Sequence, residues 1–342
     1  MVKVNNNLTT TLVFGATLAV SSYVIVVDIL RRREIRRRRQ KKRRATLKET
    51  GESEVTPQEH YAALNVLGRF VNPFEEHREQ GAWEWSLWKI QSLLTLRVLN
   101  SADLPLDWLH WRVDERKLDS VIPIHCPDLK LLFPNSTNDK QLSESWATLD
   151  SNETAGKERV TNQMTVTWLG QSTAFVQIGA LNILTDPIFS EYIASRFTGQ
   201  KRFRKCPLTI KQLERIDIVL LSHNHYDHLD EASAREIGNS AMWYIPMGLK
   251  SWFGRRGINR VTELSWWDKV PIPGFPGFEV AAAPAMHWSA RHPFDTNRSL
   301  WCSLLIICDG HHVLYHVGDT GYVKDLFKDI QRVYGKPELA LM

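Results

Sequence analysis

Ser222-His223-Asn224-His225-Tyr226-Asp227-His228 follows directly on an apolar run, and no other stretch restricts this chain so tightly. Four potential metal ligands, three imidazoles and one carboxylate, fall within six residues. In an extended segment His223 and His225, two apart, point to the same side. Asp227 and His228 then arrive on the turn that leads onward. A buried imidazole needs a partner, so packing alone does not explain three of them at this spacing. A shared metal does, and the set could serve two adjacent ions, each with a position open to water.

The surroundings of the motif read as alternating elements. Residues 216–221 are apolar but for Asp217 and form a buried strand. Asp230 is placed to cap a helix over 231–237. Upstream, 166–169, 175–178 and 182–185 read as short strands joined by turns. Downstream, 303–308 and 313–317 flank Asp309-Gly310, a hairpin signal. Strands and helices interleave with no glycine-rich phosphate loop, which predicts an α/β layer structure.

The amino-terminal part has a different texture. Residues 8–27 carry no charge and are just long enough to cross a hydrocarbon layer. Residues 31–44 hold eleven Lys or Arg against one acid, Glu34. The chain's net charge of +5 therefore sits in one run and leaves the remainder mildly acidic. Only Lys3 precedes the apolar run, so the positive-inside rule predicts a single-pass anchor with everything after residue 30 on the non-secretory face. The organisation expected is an anchor with a basic run over 1–46, an aromatic-rich extension and polar linker over 47–163, and an α/β domain carrying the metal motif over 164–342. Within the extension, Trp83, Leu87, Ile90 and Leu94 recur at helical spacing. The acidic body and the placement of the positive charge argue against nucleic acid as a partner. Four scattered cysteines with no Cys-x-x-Cys pair argue against a thiolate zinc ribbon and a disulfide framework.

His-x-His-x-Asp-His after a buried strand resembles the metallo-β-lactamase superfamily. Further segments narrow the resemblance to the N-acyl-phosphatidylethanolamine-hydrolysing phospholipase D family, in a fungal-type, membrane-anchored form. They are Thr167-Trp168-Leu169-Gly170, Leu184-Thr185-Asp186-Pro187-Ile188-Phe189, Pro284-Ala285-Met286-His287-Trp288 and Gly318-Asp319-Thr320-Gly321-Tyr322. The resemblance covers roughly 166–342 and implies an αββα sandwich with a zinc site at its edge. It implies His223, His225 and His287 as ligands of one zinc, Asp227 and His228 as ligands of a second, and Asp319 as the bridge. Asp227 and Asp319 thereby become the catalytic carboxylates. It further implies that Asp186 orients a ligand histidine from behind and that Tyr226 contacts the phospholipid.

The implied reaction is zinc-dependent hydrolysis of N-acyl-phosphatidylethanolamine to phosphatidic acid and an N-acylethanolamine. Through the anchored relatives the resemblance also implies the mitochondrial inner membrane, although residues 1–30 hold no arginine and form no ordinary presequence. A homodimer is compatible with it. Two departures stand out. Gln171 occupies a position where relatives often carry His, and the family's final zinc-binding histidine lies beyond Met342, so a truncated domain is expected. The competing readings are another hydrolase of the superfamily (lactonase, thioesterase or nuclease) and an inactive membrane-tethered remnant.

Overall fold

A computed structural model of the protein describes residues 22–40, 56–78, 120–133, 164–194 and 202–342, apart from positions 24, 39, 121, 203, 293 and 294. Trp83, Leu87, Ile90 and Leu94, the expected helical positions of the extension, lie outside the described residues.

Two sheets make the body. The first has six strands in chain order: β3 (Met164–Gly170), β4 (Thr173–Ile178), β5 (Leu181–Thr185), β6 (Ile218–Leu220), β7 (Met242–Pro246) and β8 (Val261–Leu264). β3, β4 and β5 pair antiparallel, and β5 through β8 run parallel. The parallel strands β5 and β6 are buried at every position, as expected where both faces of a sheet are covered. One face meets the second sheet. The other packs Phe175, Leu184, Val219, Leu221 and Trp243 against Ala234 and Ile237 of a helix over Glu231–Ile237 and Phe253 of another over Lys250–Gly254. Asp230 caps the first of these by accepting from the amides of Ala232 and Ser233, and Gly238 at φ +52° ends it.

The second sheet runs β13 (Leu339–Leu341), β12 (His311–His316), β11 (Ser303–Cys308), β10 (Phe278–Ala283), β9 (Lys269–Pro271). β11 and β12 are the hairpin anticipated at Asp309-Gly310, both turn residues holding positive φ. All six β11 residues are buried, so this sheet is covered on both faces too. Leu326 and Ile330 of the helix Leu326–Tyr334, with Tyr61, Phe70 and Phe74, share its hydrophobic cluster. Tyr61, Phe70 and Phe74 thus belong to the same core as the sandwich. The small hairpin of β1 (Leu64–Val66) and β2 (Arg69–Val71) lies in the segment 61–74.

The expected transmembrane helix is corrected. Among the described residues no helix is long and apolar enough to cross a membrane, and positions 8–21 of the expected span lie outside them. The described helix over 22–40 is instead dominated by the basic run. Arg31 is only 7% exposed and binds the carbonyls of Asn72 and Phe74 at 2.8 Å. Arg38 reaches the carbonyl of Ala62 at 2.7 Å. Arginines that a topology rule assigns to headgroups are here bonded to the protein's own backbone. Among the described residues the expected single-pass anchor, and with it the membrane partner and the mitochondrial inner-membrane location, finds no helix to carry it, and the homodimer gains no support.

Candidate metal centre

Strands β5, β6, β10 and β12 all run the same way within their sheets, and the chain leaving each carries a polar residue to one edge of the sandwich. β5 delivers Asp186, β6 delivers Ser222 to His228, β10 leads to His287, and β12 leads to Asp319. Ligand sites in α/β sheets form at such carboxyl ends. The two sheets are tied there by the Cys302 amide donating to the Ser222 carbonyl at 2.9 Å.

His223, His225, His287 and Asp319 each present one ligand atom, and these atoms all lie within 4.8 Å of one another. The nitrogen contacts are shorter still. His223 Nε2 is 2.9 Å from His225 Nδ1, His287 Nε2 is 3.1 Å from His225 Nδ1, and His287 Nε2 is 3.2 Å from His223 Nε2. Tetrahedral zinc with nitrogen ligands at about 2.0–2.1 Å sets its nitrogens about 3.3 Å apart. The observed triangle is close to that size.

Protonation follows from the surroundings. The Ser222 hydroxyl donates its one hydrogen to Asp186 Oδ2 at 2.7 Å, so the contact of 2.9 Å with His223 Nδ1 requires that nitrogen to be the donor. His223 Nε2 is then a bare lone pair aimed at the other two rings. Burial, reinforced by the neighbouring imidazoles, holds His223 well below the ordinary histidine pKa. Burial likewise depresses His225 to about 4 and His287 to about 3. Three neutral rings converging on one point offer each other too few hydrogens for three contacts, while a cation accepts all three lone pairs. The donor set fits a divalent metal.

The remaining residues form a second group beside this one. Asp186, fully buried, accepts from the Ser222 amide on Oδ1 at 2.7 Å. Its Oδ2 faces His228 Nδ1 and His316 Nε2, each at 2.8 Å. Although burial opposes ionisation, His316 and His228 hold this carboxyl well below the usual range. Against its own burial, His228 is raised to about 10 by Asp186 and Asp319. Asp186 fixes which face His228 presents, as a carboxylate behind a ligand histidine does. Its Nε2 points to Asp319 Oδ1 at 3.3 Å and stands 3.9 Å from Asp227 Oδ2. Asp319 Oδ2 turns the other way, 3.5 Å from His287 Nε2. Asp319 therefore stands between the imidazole triangle and His228. Asp227 and His228 do not join the four-ligand group, and among the described residues one cluster for one metal is present, where two zincs were expected.

Gln171 donates to Asp227 Oδ2 at 3.4 Å, and Ser172 Oγ lies 3.2 Å from His228 Nε2. Tyr226 stays partly exposed beneath the Arg291 guanidinium, 4.2 Å from its ring centre. Trp288 packs edge-on to His225 at 4.3 Å. His316 and Ser222 had no assigned role from sequence. Strand alternation from Leu314 would have put His316 on the inward face, but nothing local named its partner.

A buried two-sheet sandwich with imidazoles converging at one edge is the architecture of a metal-dependent hydrolase. The family described as Beta-lactamase superfamily domain matches residues 181–342. An N-acyl-phosphatidylethanolamine-hydrolyzing phospholipase D, mitochondrial, of Saccharomyces cerevisiae is 38% identical over 292 residues, which are 82% of this chain and 60% of the relative. An N-acyl-phosphatidylethanolamine-hydrolyzing phospholipase D 1 of Caenorhabditis elegans is 30% identical, over 72% of this chain and 63% of the relative. A UPF0173 metal-dependent hydrolase of Sinorhizobium medicae is 30% identical, over 52% of this chain and 72% of the relative. This chain belongs to the metal-dependent hydrolases of the metallo-β-lactamase superfamily. It spans about 60% of the length of the two phospholipase D relatives.

Proposed function

We propose that this hydrolase cleaves a phosphodiester of an N-acylated phosphatidylethanolamine, with zinc as its metal. The observation that carries the hydrolytic part is the triangle of neutral imidazole nitrogens 2.9–3.2 Å apart, closed by Asp319. The likeness to two relatives named for that lipid, across 82% and 72% of this chain, supports the substrate.

His223, His225, His287 and Asp319 would hold the metal. Bound there, it supplies Lewis acidity toward a phosphoryl oxygen and makes water a better acid. His228, fixed from behind by Asp186 and directed at Asp319, is placed to hydrogen-bond the phosphoryl group. Asp227, with one oxygen held by Gln171, is the carboxylate free to take a proton. Trp288, partly exposed against His225, and Tyr226, partly exposed beneath Arg291, offer apolar contact to the lipid.

The test is a substrate panel on zinc-loaded protein: N-acyl-phosphatidylethanolamine in mixed micelles, a soluble aryl phosphodiester, a lactone and a thioester. Release of N-acylethanolamine at least a hundredfold faster than turnover of the others is the expected result. Preferential turnover of the lactone or thioester would move the chain to a carbonyl-cleaving branch of the superfamily.

A further inference from the structure

The loop from 284 to 302, between β10 and β11, carries His287 without a strand ladder to fix it. Its anchors come from elsewhere. Asn72, buried to 1% exposure, donates from Nδ2 to the His287 carbonyl at 2.7 Å. The same amide nitrogen lies 3.2 Å from His77 Nε2. Because the His287 carbonyl can only accept, the Asn72 amide must present its nitrogen there, and His77 Nε2 must then be an acceptor. The Phe70 amide adds a bond of 2.7 Å to the carbonyl of Asn297, whose own side chain accepts from the Ser289 amide at 3.1 Å.

What holds Asn72 is the basic helix. Arg31 donates from Nε to the Asn72 carbonyl and from Nη2 to the Phe74 carbonyl, both at 2.8 Å, and Nη2 also reaches the His77 carbonyl at 3.3 Å. One planar guanidinium thereby gathers three carbonyls of the segment 72–77, a task suited to its fixed fork of donors. The line of contacts runs from Arg31 through Asn72 to the backbone of one member of the imidazole triangle.

Resting on the reading that the cluster holds a metal, we propose that Asn72 is a positioning residue of the metal centre, set in place by Arg31. A part of the chain remote in sequence from the motif then tunes the site, and the basic run has a role independent of its net charge. Residues that orient ligands from behind typically change metal affinity 10–100-fold when lost.

The experiment loads the full chain with cobalt(II) and follows chelator competition, the visible d–d absorption and kcat against KM. Asn72→Ala, Arg31→Ala and Arg31→Lys are compared with a double variant, Arg33→Ala with Arg36→Ala, which removes two exposed charges of the same helix. Asn72→Ala and Arg31→Ala are expected to weaken cobalt binding 10–100-fold, to alter the d–d bands, and to lower kcat more than they raise KM. Arg31→Lys should fall between them and wild type, since an ammonium cannot span three carbonyls. Should Asn72→Ala lose its fold, Arg31→Lys reads the same contact. Unchanged affinity and bands in folded Asn72→Ala, or an equal loss in the charge control, overturns the proposal alone. A wild-type chain that binds no cobalt overturns both it and the reading beneath it.

Discussion

Asp186 Oδ2 and His316 Nε2 lie 2.8 Å apart, joining the end of a strand in one sheet to the end of a strand in the other. The carboxylate is fully buried and also holds Ser222 and His228, so a single acid links both sheets to the motif. Removing one partner of a buried, hydrogen-bonded pair strands the others without compensation, at about 3–5 kcal/mol. Asp186→Asn keeps the shape and loses the charge. It is expected to lower unfolding free energy by about 3 kcal/mol or more in urea titrations, and a loss under about 1 kcal/mol would contradict the role given to Asp186.

Gly318 offers a steric test of the same edge. It holds φ +61°, and a Cβ there would sit 2.6 Å from Ser222 Cβ, one residue before Asp319. Gly310 holds φ +78° with open space around it. Gly310→Ala bears only the left-handed backbone penalty, about 1–2 kcal/mol. Gly318→Ala adds an overpacking term of about 1–3 kcal/mol and displaces Ser222 from Asp186. Paired thermal melts should rank Gly318→Ala well below Gly310→Ala. Equal melts would mean the edge is looser than drawn.

How much of this was legible beforehand divides along sequence distance. His223 and His225 announce themselves because residues two apart at a strand end share one face, and Asp230 marks the helix that follows, whereas Asp227 and His228 of the same motif fall outside the four-ligand group. His287 and Asp319 came from family likeness, not spacing, because nothing local ties an isolated histidine to a motif 60 residues away. The role of His316 was hidden because its partner is contributed by the opposite sheet. The place of Arg31 is hidden in the sequence for a related reason. A run of arginines after an apolar stretch carries the composition of a membrane flank, and only the folded chain shows that carbonyls of Asn72 and Phe74 lie within its reach. Composition reports charge, and burial is decided by tertiary contacts.

His77 gives a pH dependence. Burial first, then the Arg31 charge, depress its pKa to about 4 from the model-peptide value near 6.5. Its Nε2 lies 3.2 Å from the Asn72 amide nitrogen. Between those values the unfolded chain takes up a proton that the folded chain resists, so stability is full above about pH 6.5 and falls as pH drops toward 4. His77→Gln keeps an acceptor without a titrating group. Midpoints of urea unfolding from pH 7 to pH 4 should fall less steeply for His77→Gln than for wild type. Parallel curves would show that His77 does not carry the effect.

Metal binding by the imidazole triangle and Asp319 underlies every catalytic role assigned to this edge of the sandwich. Elemental analysis of the chain dialysed against trace zinc, beside a His223→Ala, His287→Ala double variant with intact far-ultraviolet dichroism, measures it in one step. The expected result is one tightly held zinc per wild-type chain, removed by chelator with loss of hydrolysis and restored on readdition. In the double variant, which lacks two of the four donors, zinc should fall below about a tenth of that level. Equal zinc in both proteins, or none in either, would contradict the assignment of this edge of the sandwich as a metal centre.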